Sequence, residues 1–295
     1  MSLIDTVSGM AGAVLCTAFG NPFDVAKARL QHQGPHGAYR GLTHCLAATV
    51  RADGFSGLYR GALPALSSAL VENSVGITVQ RSLRRQLAAA QGRESLCDVR
   101  YSTATEIALG GCTGIFTSVA ICPFEVVKVR QQVHRDSRIT EVLRLLIRKD
   151  GLSGLYRGLL SVICRDVPFN AIFYGFYESL CTLAMRLQGV GSKDALDAPV
   201  IFLAGGLAGS AGWTFIMPFD VVKTRQQAGS AHGMPSHVMY RIVQSEGWKA
   251  LFKGWNAAVA RAFPANAGLF LGVELSSRWM ARWATPWVLE PKMED

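Results

Sequence analysis

The segment Pro22-Phe23-Asp24-Val25-Ala26-Lys27-Ala28-Arg29-Leu30-Gln31 returns as Pro123-Phe124-Glu125-Val126-Val127-Lys128-Val129-Arg130-Gln131-Gln132. It returns again as Pro218-Phe219-Asp220-Val221-Val222-Lys223-Thr224-Arg225-Gln226-Gln227. The starts lie 101 and 95 residues apart. A second block follows each at fixed internal spacing: Asp53-Gly54 to Tyr59-Arg60-Gly61, Asp150-Gly151 to Tyr156-Arg157-Gly158, and Glu246-Gly247 to Phe252-Lys253-Gly254. Six blocks in one order are an internal triplication, and a period of this kind constrains architecture before any local propensity does.

Each proline closes an apolar, Gly-rich stretch, at about 5–21, 104–122 and 199–217. Each second block opens another, at about 62–80, 159–183 and 255–280. Every repeat therefore reads as helix, polar loop with a short helix, helix. Helices are the natural solution because backbone groups in lipid must find partners within the segment. Small residues recur at helical spacing, as in Gly9/Gly12, Gly110/Gly114 and Gly205/Gly209, the pattern that favours close helix contact in lipid. The expectation is an all-α membrane protein of one domain, 1–295, with six transmembrane helices in three pseudo-symmetric two-helix repeats. The repeats run over about 1–95, 100–190 and 196–290. Six spans put both termini on one side and the three long loops on the other.

Composition agrees. Hydrophobic residues make up 49% and charged residues 17%, against about 25% charged in soluble domains. No run reaches the roughly 20 apolar residues of a simple span, so whatever spans here carries Gly, Pro and charge. The net charge of +9 is spread along the chain, which argues against a nucleic-acid arm. The seven cysteines form no C-x-x-C pair and read as reduced core residues. No metal or cofactor is expected, and no nucleophile–base pairing points to an enzyme. No secretory signal or cleavable presequence is visible. The first long loop is basic, with Arg29, Arg40, Arg51 and Arg60 read as its charges. His32, His36 and His44 read as loop residues, and Trp279, Trp283 and Trp287 as interfacial anchors.

Proline removes a helix hydrogen bond and bends the helix. Bends at Pro22, Pro123 and Pro218 would bring Asp24, Lys27, Glu125, Lys128, Asp220 and Lys223 towards one axis. The plain alternative is an i,i+3 pair inside each helix, worth about 0.2–0.5 kcal/mol. Three copies, each just past a bend, favour ion pairs between repeats.

The signature P-x-[DE]-x-x-[KR]-x-[KR]-x-Q, present three times, resembles that of the mitochondrial carrier family over nearly the whole chain. The resemblance implies six tilted helices around a three-fold pseudo-axis, in the mitochondrial inner membrane, with one central solute site reached alternately from each side. It makes the six charges above a matrix gate, with Gln31, Gln132 and Gln227 as its braces. The basic loops then face the matrix, as the positive-inside tendency expects. It also implies a monomer, with cardiolipin at Gly61, Gly158 and Gly254. A gate must break, and losing one partner of a buried pair costs roughly 3–5 kcal/mol. Neutralising one gate residue is expected to harm transport more than folding.

The opposite gate departs from the family pattern. Its positions read Gln80-Arg81-x-x-Arg84, Tyr177-Glu178-x-x-Cys181 and Val273-Glu274-x-x-Ser277. The cytoplasmic gate is therefore limited to Arg84, Glu178 and Glu274, with Arg84 expected to take one of the two acids.

Charge inside a span is costly and suggests function. Arg165 and Arg261 each lie seven residues after a motif glycine, where repeat 1 has Ser68. Asp166 stands beside Arg165, and Glu72 lies eleven residues after Gly61. An asymmetric solute needs asymmetric contacts, so these four are the expected cavity charges. Arg165-Asp166-Val167-Pro168 and the stretch from Arg261 to Asn266 resemble both the ornithine and the acylcarnitine carriers. Glu72-Asn73-Ser74 resembles the ornithine and basic amino-acid carriers, and Trp213 fits both groups. Two bases and two acids suit a zwitterionic or cationic solute. A guanidinium at Arg165 or Arg261 matches a carboxylate, Asp166 an α-ammonium, and Glu72 a distal cation. A quaternary ammonium would prefer an aromatic face such as Trp213. The expected activity is exchange of basic amino acids by alternating access. A carnitine/acylcarnitine carrier is one alternative, and a non-transporting receptor or scaffold is another.

Overall fold

The computed structural model describes residues 3–34, 37–90, 103–134, 138–190 and 196–288. The order is α1 (Leu3–His32), α2 (Leu42–Asp53), α3 (Ala62–Ala90), α4 (Thr103–Val133), α5 (Ile139–Asp150), α6 (Leu159–Gln188), α7 (Ala198–Ala228), α8 (Pro235–Glu246) and α9 (Trp255–Val288). Long, short, long is thus repeated three times, with no strand among the described residues. At 1.5 Å per residue the long helices reach roughly 45 Å, beyond the ~30 Å hydrocarbon layer. Two stretches, Phe55–Ala90 and Ala108–Val133, are apolar enough to read as spans by hydropathy alone. Consecutive repeats meet where α3 packs on α4 and α6 on α7, and α9 closes the circle on α1.

Pro22, Pro123 and Pro218 lie inside α1, α4 and α7, which continue past the whole motif. This corrects the reading of two residues as loop. Arg29 and His32 occupy the last turn of α1, where basic side chains meet the negative end of the helix dipole. No breaker stops the helix before Gly34. His44 and Arg51 are also helical, in α2. His36, Cys97 and the side chains of Trp283 and Trp287 lie outside the described residues.

The short helices end alike. Gly54, Gly151 and Gly247 adopt φ of 68°, 65° and 81°, and each donates its N–H to the carbonyl four residues back. Positive φ with a closing hydrogen bond is the usual role of a C-terminal glycine. A 3₁₀ turn then leads to the next long helix.

Each repeat builds its own core at the loop end. Ala26, Leu30 and Cys45 join α1 to α2. Val126 and Val127 meet Val142 and Leu146 across α4 and α5, and Val221 and Val222 meet Val238 and Ile242 across α7 and α8. Phe116, Leu203 and Phe215 are exposed on the long helices, as lipid-facing side chains should be.

The glycine pattern needs correction. A Cβ on Gly12 would lie 2.8 Å from Val273, but nothing lies within 4 Å of one on Gly9, Gly110 or Gly205. Among the described glycines of the long helices, the closest approaches fall instead on α9. A Cβ on Gly268 would stand 2.6 Å from the Leu15 carbonyl oxygen, and one on Gly272 2.6 Å from that of Ala11. Small residues set the potential for contact, and helix rotation decides which of them are used.

Candidate functional site

The three motif lysines each reach a carboxylate of another repeat. Lys27 Nζ lies 2.7 Å from Asp220, Lys128 Nζ 2.8 Å from Asp24, and Lys223 Nζ 2.7 Å from Glu125. The three pairs close a ring around the axis at the loop end. All six side chains are at least three-quarters buried, so the low local dielectric strengthens each attraction and raises the cost of losing a partner.

Two arginines reach this ring from the second long helix of their repeats, α6 and α9. Arg165 donates from Nε to Asp166 at 2.6 Å and from Nη2 to Glu125 at 3.2 Å, and its Nη1 lies 3.7 Å from Asp220. Arg261 Nε lies 2.8 Å from Asp24. Trp213 takes part as well: Lys27 Nζ sits 3.8 Å from the centroid of its ring, a cation–π distance. Phe169 lies against the same ring, with centroids 5.5 Å apart. Sequence reading missed Phe169 because an apolar residue in a span carries no mark of facing inward.

These groups line a central cavity of about 370 Å³, within the roughly 300–1,000 Å³ usual for small-molecule sites. Its wall brings together Glu72, Arg165, Asp166, Trp213 and Arg261 with the six ring residues. The lining holds five acids and five bases. Among the described residues every one of those bases has a carboxylate within 4 Å, while Glu72 is exposed to the cavity and in no ion pair.

The three motif glutamines are all buried but differ in bonding. Gln31 donates from Nε2 to Asp220 at 2.7 Å and accepts from Thr224 Oγ1 at 2.7 Å. Gln132 Nε2 and both amide atoms of Gln227 have no hydrogen-bond partner among the described residues. The expected symmetric set of braces is thus tied in one copy of three.

A second ring lies just outside the first. Arg29 donates from Nε to the Gln132 carbonyl (2.9 Å), Arg130 to that of Gln227 (3.1 Å) and Arg225 to that of Gln31 (3.0 Å). Each guanidinium therefore caps the C-terminal end of the next repeat's helix, where carbonyls lack intrahelical partners. Acids of the second motif hold two of them: Asp53 takes Arg29 at 2.9 Å, and Glu246 takes both Arg225 and Lys253. The signature's second basic position was the available signal, and its conservation across the three copies had no assigned role. Gly61, Gly158 and Gly254 sit at φ 76°, 78° and 82°, each pressed against the next repeat's motif helix.

At the far end Glu274 pairs with Arg278, four residues on along α9, at 2.5 Å. Both are largely exposed. The expectation that Arg84 and the two acids supply the whole cluster missed Arg278. It stands one residue past the position where a base was sought, and i,i+4 spacing puts it on the same helix face. Arg84 and Glu178 lie on α3 and α6.

Comparison with known proteins agrees with the threefold repeat. The family described as "Mitochondrial carrier protein" matches residues 2–90, 99–187 and 195–282. The chain is 33% identical to mitochondrial ornithine transporter 1 of Mus musculus, over 96% of this chain and 97% of that one. It is 32% identical to the mitochondrial basic amino acids transporter of Bos taurus, over 92% and 90%. It is 30% identical to mitochondrial substrate carrier family protein S of Dictyostelium discoideum, over 92% and 96%.

Proposed function

The chain belongs to the mitochondrial carrier family, and from that premise we propose that it exchanges basic amino acids of the ornithine, lysine and arginine type by alternating access. It is a multi-pass protein of the mitochondrial inner membrane. The observation that carries the substrate class is Glu72. In a cavity whose five bases all have carboxylate partners, it is an acid outside every ion pair among the described residues. A cation entering the cavity completes the pairing, whereas a dicarboxylate would bring two anions to bases already paired and leave Glu72 unmatched. The names of two full-length relatives, an ornithine transporter and a basic amino acids transporter, support the same class.

In this reading Glu72 receives the distal cation and Asp166 the α-ammonium, with Arg165 or Arg261 holding the α-carboxylate. Trp213 offers an aromatic wall. Asp24, Lys27, Glu125, Lys128, Asp220 and Lys223 form the matrix gate, braced by glutamine. Arg84, Glu178 and Glu274 belong to the cytoplasmic gate, now with Arg278. The carrier works as a monomer of three repeats, about 1–95, 100–190 and 196–290, and acidic phospholipid such as cardiolipin docks at Gly61, Gly158 and Gly254.

The deciding experiment is exchange in proteoliposomes preloaded with ornithine, lysine, arginine or carnitine. Exchange of the basic amino acids without carnitine is expected. Exchange of carnitine alone overturns the substrate class, and a fully folded protein that exchanges nothing overturns the carrier reading in favour of a scaffold.

A further inference from the structure

The ring of ion pairs repeats three times, but the residue between its lysine and its outer arginine does not. It is Ala28 in the first copy, Val129 in the second and Thr224 in the third. Only the third side chain can donate a hydrogen bond. It does so across repeats: Thr224 Oγ1 donates to Gln31 Oε1 at 2.7 Å. A helical threonine commonly bonds back to the carbonyl one turn earlier, so this hydroxyl is directed elsewhere.

The consequence for Gln31 follows from the amide's two unlike ends. Oε1 accepts and the NH₂ group donates. With Oε1 committed to Thr224, the NH₂ end faces Asp220, and Gln31 donates to Asp220 Oδ2 at 2.7 Å. The same oxygen receives Lys27 Nζ at 2.7 Å. Thr224, Gln31 and Asp220 are 5%, 1% and 2% exposed, so water does not substitute for either bond. In the other two copies the hydroxyl is missing, and there the glutamine amide is left with unpartnered buried atoms, Nε2 of Gln132 and both ends of Gln227.

We propose that Thr224 is a positioning residue that orients the Gln31 amide, making the contact between repeats 1 and 3 the tied brace of the matrix gate. The inference rests on the gate reading above. Removing the hydroxyl leaves Oε1 buried without a donor, and a turned amide would set its oxygen against the Asp220 carboxylate. The bond to Thr224 is lost outright, and the one to Asp220 loses the contact that fixes the amide beside it. A gate weakened in this way opens more readily without cargo, so uncoupled efflux rises against exchange.

The test compares Thr224→Val, which keeps the shape and deletes the hydroxyl, with Thr224→Ser, which keeps the hydroxyl. Both are also made in a Gln31→Ala background. Purified protein in liposomes loaded with labelled ornithine reports efflux with and without external ornithine. The ratio of uncoupled efflux to exchange should rise by up to roughly tenfold for T224V, the scale of leaving one buried acceptor unsatisfied, and T224S should restore it. Thermal unfolding in detergent gives a readout that needs no substrate. T224V should lower the midpoint by about 2–4 °C, and by nothing further once Gln31 is Ala. An unchanged midpoint and ratio, a full T224V effect in the Gln31→Ala background, or a T224S protein that behaves as T224V would each overturn the proposal. A wild-type protein that fails to exchange ornithine counts against the substrate class, and the unfolding arm still decides the role of Thr224.

Discussion

Arg165 donates to Glu125 at 3.2 Å, so a residue proposed to hold cargo also grips an acid of the ring between repeats. The same guanidinium reaches Asp166 and lies 3.7 Å from Asp220. A cargo carboxylate binding Arg165 competes with two ring acids at once. Such competition gives the differential interaction between states that a ligand needs if it is to shift an equilibrium.

Arg165→Lys should therefore lower exchange by more than about tenfold despite keeping the charge. An ammonium is a compact point charge, while the planar guanidinium presents a fork of donors to several carboxylates. Arg261→Lys should lose less, because among the described residues Arg261 pairs with one ring acid, Asp24. Initial exchange rates in proteoliposomes measure both, and equal rates for R165K and wild type would show that the bridge has no part in transport.

Glu72→Ala should cut exchange of ornithine, lysine and arginine by about tenfold or more, the scale of one charge-assisted contact. Citrulline, which lacks the distal cation, should lose little. An equal loss for citrulline removes Glu72 from side-chain recognition and leaves it a structural part of the cavity wall.

The triplication was legible because identical spacing in three copies has no local explanation, and the convergence of Asp24, Lys27 and their counterparts followed from a proline bend. What the sequence did not carry was partner choice. That Asp24 takes Lys128 and Lys27 takes Asp220 depends on the order of repeats around the axis, which no motif encodes. Arg165 was legible as a cavity charge but not as a ring contact, since its length lets it reach both. Arg278 escaped because a strict register was applied to a helix face that tolerates i,i+4 as well as i,i+3. Thr224 looked like an ordinary departure within the motif until its neighbour in space, Gln31, was known.

Gly272→Ala should destabilise the protein by about 1–3 kcal/mol, the usual cost of forcing one extra carbon into a filled space. The added Cβ would stand 2.6 Å from the Ala11 carbonyl oxygen and 2.7 Å from Gly12 Cα, backbone atoms that cannot swing aside. Gly110→Ala meets nothing within 4 Å and should be neutral or mildly stabilising. Unfolding midpoints of the two variants in one detergent make the comparison, and matching midpoints would mean that α1 and α9 do not pack this closely.

Glu246 links pH to the outer ring. It lies at the end of α8, outside the spanning helices, and accepts from Arg225 Nη1 (2.5 Å) and Nη2 (3.0 Å) and from Lys253 Nζ (2.7 Å). Burial pushes its carboxyl up, but the hydrogen bonds from Arg225 and Lys253, with their charges, outweigh this and hold it below the ordinary carboxylate range. The unfolded chain thus binds this proton more readily than the folded one. The stabilisation is fully present above the ordinary glutamate value near 4.3, and it is lost as pH falls through the lower folded-state value. Glu246→Gln should lower the unfolding midpoint at neutral pH, because Arg225 loses its charged partner beside the Gln31 carbonyl. The gap between wild type and E246Q should then narrow as pH falls below about 4.3, the ordinary glutamate value. Midpoints recorded from pH 7 down to about pH 3 test this directly. A gap that stays constant across the range would show that ionised Glu246 contributes nothing beyond what a neutral amide supplies.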